Sequence, residues 1–136
     1  MFDFQFDWDN SIATGNEEID SHNKVLFRIG RDIEQLILTD CIGATEKDLL
    51  AKLCEIREYM TYHFYTEEKI LKENSFAGFE AHKARHEEFK KFINAVDCTD
   101  LVERPTQELK KIRNFLQDWV FSHIMLEDKS CFSSCA

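Results

Sequence analysis

Residues 50–70 read LAKLCEIREYMTYHFYTEEKI, and the phase of this stretch decides the fold. Steps of three and four residues pick out Leu50, Leu53, Ile56, Met60, His63, Glu67 and Ile70. That spacing is the stripe of an amphipathic helix facing a core. The stripe is apolar at first and then carries an imidazole and a carboxylate inward, where uncharged aliphatic side chains would be expected.

The same period recurs on either side. From Ile19 the inward positions are expected to be Ile19, His22, Leu26, Ile29, Ile33 and Leu36. A third segment gives Phe79, His82, His86, Phe89, Ile93 and Val96, and a fourth gives Leu109, Ile112, Leu116, Trp119, His123 and Leu126. Breaks fall at 39–45, 74–78 and 97–105. Thr45 with Asp48 suits a capping box, and Pro105 suits a first helical turn. Connections this short make neighbours antiparallel, so the fold class is all-α, an up-down-up-down four-helix bundle. Residues 1–136 are read as a single domain, with an arm at 1–18, the bundle at 19–128 and a short tail at 129–136. In the arm Phe2, Phe4, Phe6 and Trp8 alternate with polar residues, which predicts an extended segment laying one apolar face on the bundle.

Composition agrees with a helical domain. The chain has 136 residues, 43% of them hydrophobic, with twelve Phe, one Pro and four Gly. Its formal charge is −9, which argues against nucleic acid or an anionic membrane as a partner. No apolar run has the length of a membrane span, and MFDFQFDW lacks a basic segment followed by an apolar one, so a cytoplasmic location is expected. Cys41, Cys54, Cys98, Cys131 and Cys135 form no CxxC pair and are read as free thiols. Cys131 and Cys135 lie together in the tail.

All five histidines and Glu67 fall on the expected inward phase. One inward histidine is usually a hydrogen-bonded core residue. Five imidazoles and a carboxylate cannot satisfy one another, and a metal site would serve them all. His63 with Glu67 and His82 with His86 are i, i+4 pairs, each aimed from one helical face. Asp128 lies five residues beyond His123, off phase for a regular helix. It is either a surface acid or a ligand brought round by a helix that loosens after residue 126. Counting His22, His63, Glu67, His82, His86, His123 and Asp128, the candidates exceed what a structural zinc ion takes. Two ions bridged by carboxylates would use them. Imidazole and carboxylate suit iron, and also manganese or zinc.

In these motifs the chain resembles the hemerythrin family, in particular the single-domain bacteriohemerythrins. The resemblance rests on Trp8 followed after five residues by Thr14-Gly15, HFYTEE at 63–68, His82 and His86, and Trp119 through His123-Ile124 to Asp128. It implies a non-haem di-iron centre that binds dioxygen reversibly, for carriage, storage, scavenging or sensing. His82, His86 and His123 would hold one iron, and His63 with a first-helix residue the other. Glu67 and Asp128 would bridge, beside an oxo or hydroxo bridge, leaving one position open on the iron with fewer histidines. Phe64, Trp119, Val120 and Ile124 would line the oxygen pocket. The alternative is a di-iron redox enzyme that reduces dioxygen, peroxide or nitric oxide, with an unknown redox partner.

One departure stands out. Where the family pattern has I-D-x-Q-H-K-x-L-F, this chain has Ile19-Asp20-Ser21-His22-Asn23-Lys24-Val25-Leu26-Phe27. Register puts Asn23 at the ligand position, while the apolar stripe puts His22 there. His22 is the preferred ligand, because an amide oxygen is a poorer partner for iron than imidazole, and Asn23 is the alternative.

Overall fold

The computed structural model describes residues 6–128 together with residue 132, except that the side chains of residues 125 and 126 are not described. Phe2, Phe4, Cys131, Cys135 and the expected inward side chain of Leu126 therefore lie outside the described residues. Among the described residues the elements are a 3-10 turn at Asn10–Ile12 and five α-helices, followed by a π-helical segment, Val120–Asp128. The helices are α1 (Glu17–Leu38), α2 (Glu46–Glu73), α3 (Phe79–Asn94), α4 (Cys98–Glu103) and α5 (Pro105–Trp119). The four long ones form the expected bundle: α1 packs on α2, α2 on α3, and α5 returns against α1. Phe89–Trp119 and Phe92–Phe115 ring contacts join α3 to α5.

The boundaries have local causes. Asn16 caps α1 by accepting from the Ile19 amide. Thr45 and Asp48 cap α2 reciprocally, the box read in the sequence. Pro105 opens α5 at a position whose N–H has no helical acceptor in any case. The short α4 is a correction, since residues 97–105 were expected to be a plain connection. Asp97 accepts from the Asp100 amide and starts a single extra turn, and Leu101 anchors it in the core.

The arm does lay an apolar side chain on the bundle, although the 3-10 turn interrupts its extended course. Phe6 is buried, and its ring lies where a Cβ on Gly30 would come within 2.4 Å of it. Only glycine lets the arm approach α1 so closely. Phe6 and Trp8 both meet Phe27 edge-on.

This packing widens the buried face of α1 and shifts its phase. The buried residues are Ile19, Asn23, Leu26, Phe27, Ile29, Gly30, Ile33 and Glu34. The expected stripe is thus corrected at its second member. Asn23 is fully buried, while His22 is only half-buried. A step of four from Ile19 is as helical as a step of three, and the arm covers the side of α1 that the step of four selects.

Candidate metal centre

Six of the interior polar residues come from three elements. α2 supplies His63 and Glu67, α3 supplies His82 and His86, and the π-helical segment supplies His123 and Asp128. All six are buried to within 3% of full coverage. Each i, i+4 pair lies along one face of its helix, as the spacing predicts.

Asp128 reaches the same place by a different route. Its separation of five from His123 matches the i→i+5 bonding of a π-helix, which brings such residues onto one face. Loosening was expected only after residue 126; it begins at Val120. As a result His123 Nε2 lies 2.9 Å from Asp128 Oδ1.

The six residues form two groups that share one member. Glu67, His82, His86 and His123 can each bring a ligand atom within 4.8 Å of the others, and so can His63, Glu67 and Asp128. Glu67 joins them because its two oxygens face opposite ways. Oε2 lies 2.8 Å from His82 Nε2 and 3.1 Å from His86 Nε2, while Oε1 contacts His63 Nε2.

Ring nitrogens and carboxylates packed this closely ought to hydrogen-bond, yet several do not. His63 Nε2, His123 Nε2, Glu67 Oε1 and both oxygens of Asp128 are buried without a hydrogen-bond partner among the described residues. Nitrogen and oxygen donors gathered within 4.8 Å of one another are what a cation requires. The residues present therefore fit a metal, and the nitrogen–oxygen donor set suits a first-row transition ion.

Without metal, protons take its electrostatic part. Burial disfavours a charged ring, but Asp128 and Glu67 outweigh it and raise His82 to about 9 and His123 to about 11. Burial likewise opposes the Glu67 carboxylate, yet the surrounding histidines hold it well below its ordinary range.

Further carboxylates stand behind two of the rings. His86 Nδ1 stands 3.0 Å from Glu68 Oε2, and His123 Nδ1 stands 3.4 Å from Glu127 Oε2. Arg85 donates to Glu127 at 3.1 Å. Carboxylates behind metal-binding imidazoles fix the tautomer and increase basicity. Sequence reasoning missed Glu68 and Glu127; the signal was their offset of four to five residues from expected ligands, His63 and His123.

Aromatic rings enclose the histidines. Phe64 stacks on His86 with centroids 4.0 Å apart, and Trp119 stacks on His123 at 4.0 Å. Val120 and Ile124 are buried beside them. Phe132 packs on Ile19 and Leu71 and meets His82 edge-on, a contact the sequence reading did not anticipate.

The remaining expected ligand sits at the margin. His22 belongs to neither donor group, but its ring is edge-on to His63 with centroids 5.3 Å apart. Centroids of His82, His86 and His123 are 4.6–5.1 Å apart, so the His22–His63 spacing is close to theirs. His22 Nδ1 is buried and without a partner among the described residues. Burial, and then the neighbouring His63, keep its pKa below the ordinary imidazole value. Asn23 occupies the interior position, where its Oδ1 accepts from Tyr59 Oη at 3.3 Å. A cleft of about 210 Å³ between α1 and α2 opens onto His22, Tyr59 and His63.

The chain is similar to known proteins over most of its length. The model of the hemerythrin HHE cation binding domain matches residues 14–134. The bacteriohemerythrin of Clostridium acetobutylicum is 22% identical over 124 residues, covering 91% of this chain and 96% of that protein. The hemerythrin of Siphonosoma cumanense is 34% identical over 114 residues, covering 79% of this chain and 87% of that protein. The myohemerythrin of Sipunculus nudus is 25% identical over 121 residues, covering 89% and 86%. No solved structure matches the chain. A helical bundle with histidines and carboxylates converging in its core, matched by the family over nearly all its length, makes this chain a member of the hemerythrin family.

Proposed function

We propose that the chain is a non-haem di-iron protein that binds dioxygen reversibly. His82, His86 and His123 would hold one iron, and His63 with His22 the other, with Asn23 as the alternative to His22. Glu67 and Asp128 would bridge. The observation that carries this reading is the placement of Glu67, whose two oxygens face the histidine groups on opposite sides. When bound, the iron pair would supply an open coordination position and the electrons that dioxygen takes up.

The chain's own residues supply the rest. Glu68 holds the ring of His86 in one orientation, and Glu127 stands behind the ring of His123. Phe64, Trp119, Val120 and Ile124 would form the wall of the oxygen pocket, and their burial keeps water and loose protons from the ligand. Histidines outnumber carboxylates in the cluster, whereas di-iron carboxylate proteins on similar bundles use Glu-x-x-His pairs and more acids. That balance supports binding over turnover.

A second reading has one observation in its favour. The α1–α2 cleft, which His22 and His63 line, brings solvent to the half-buried His22 beside His63, which would help a redox enzyme that protonates and releases reduced dioxygen, peroxide or nitric oxide. Iron-loaded protein, reduced without air and then exposed to it, distinguishes the two. Reversible carriage predicts a coloured species that fades when oxygen is removed and returns when it is readmitted. Irreversible bleaching with peroxide release would favour the enzyme and overturn the carrier.

A further inference from the structure

Tyr59, His63 and Glu67 stand one turn apart on α2, and the first has no part in the metal site described above. Its ring stacks on His63, with centroids 4.7 Å apart and planes 16° apart. Its hydroxyl crosses to α1 and donates to Asn23 Oδ1 at 3.3 Å. Asn23 is fully buried and Tyr59 nearly so. Tyr59 thus sits against the His63 imidazole and carries Asn23 with it, in a core where leucine and phenylalanine would fill the same volume without any desolvation cost.

In this arrangement the amide nitrogen is the free end. Oδ1 is engaged by the phenol, and Nδ2 is buried without a partner among the described residues. An amide nitrogen carries no lone pair for a metal but offers two N–H donors. A buried donor left in this way is costly unless something accepts from it.

We propose that Asn23, held by Tyr59, is a hydrogen-bond donor to a small ligand with terminal lone pairs, such as dioxygen or azide, bound on the His63 side of the centre. This assignment rests on the proposed iron site. It gives the chain's departure from the family pattern a role: the amide does not replace the missing imidazole as a ligand but grips what binds beside His63. Tyr59 is a positioning residue that acts through Asn23. The α1–α2 cleft, lined by Tyr59, His22 and His63, is the way in.

Azide is the probe. Wild type, Asn23→Leu and Tyr59→Phe are loaded with iron and analysed for metal, for azide dissociation, and for the infrared stretch of bound azide in H2O and D2O. The expected result is unchanged iron per chain in both variants. The wild-type band should shift in D2O, the shift should vanish in Asn23→Leu, and azide should leave that variant roughly tenfold faster, the worth of one hydrogen bond. Tyr59→Phe, which removes a single oxygen, should show a smaller shift and faster release, and it keeps the test intact if Asn23→Leu does not fold. Loss of iron from Asn23→Leu would make Asn23 a ligand and overturn the proposal. Retained iron with an unaltered band would overturn it too. Failure of the wild type to take up iron is a separate outcome, which overturns the proposed function and this inference with it.

Discussion

His123 and Asp128 are five residues apart and still face each other, with Nε2 and Oδ1 separated by 2.9 Å. An α-helix would turn the carboxylate about 140° away from the imidazole at its ~3.6 residues per turn. The π-helical run from Val120 to Asp128 undoes that rotation. Its wider turns are rare and concentrate at functional sites. Here the widening delivers a second carboxylate to the shared cluster.

Asp128→Ala should therefore cost more than a surface acid would. It removes one of the two carboxylates that the donor groups contain. We expect metal per chain to fall to about half or below, read by elemental analysis after dialysis, with the helix content of the loaded protein little changed. Full retention would mean that the aspartate is only a structural neighbour of His123.

The carboxylates behind the rings should matter less than the ligands, but measurably. Glu68→Gln and Glu127→Gln remove the charge facing His86 Nδ1 and His123 Nδ1. Substitutions of this kind typically weaken metal binding by about 10–100-fold. Competition with a chelator of known affinity would read the change, and no change would deny them an orienting role.

The metal-free fold should depend on pH in a specific window. Burial works against a charged ring, but Asp128 and Glu67 raise His82 from 6.5 to about 9 and His123 from 6.5 to about 11. Unfolded imidazoles release their protons near 6.5, so above that pH the fold holds protons that the unfolded chain has lost. The stabilisation is complete below 6.5 and is lost as pH rises through about 9 and then about 11. Denaturant midpoints of the metal-free protein should fall across that range. The loaded protein should not follow, because metal replaces those protons. Loading at pH 7 should release about two protons per chain, measured calorimetrically in buffers of different ionisation enthalpy.

Gly30→Ala tests how the arm is seated. A Cβ there would lie 2.4 Å from the Phe6 ring, and overpacking of this kind costs about 1–3 kcal/mol. The gain in helix propensity, about 0.5–1 kcal/mol, is smaller. The expected net result is a lower urea midpoint, and an unchanged or higher one would show that Phe6 moves aside freely.

How much of this was legible in the sequence depended on whether neighbours or periodicity set each position. α2 and α3 have long stripes with few competitors, so His63, Glu67, His82 and His86 could be assigned by counting. The boundaries at Thr45 and Pro105 were readable because caps are chemistry between residues close in sequence. His22 and Asn23 were not separable in that way. They differ by one helical step, and the inward one is set by contacts from other segments: Tyr59 of α2 meets Asn23, and the arm covers Phe27 and Gly30 on the same side of α1. Asp128 was ambiguous for a related reason: periodicity assumes a regular helix, and the π-helical run breaks that assumption. Tyr59 went unremarked because an inward tyrosine reads as core until its hydroxyl partner on another helix is known.

The central claim is that two irons sit where Glu67 faces both histidine groups. Its most direct test is iron per chain after anaerobic loading and removal of excess metal, comparing wild type with Glu67→Ala. Two irons are expected in the wild type and a clear loss in the variant. A single iron, or none, in the wild type would contradict the claim, as would equal iron in both proteins.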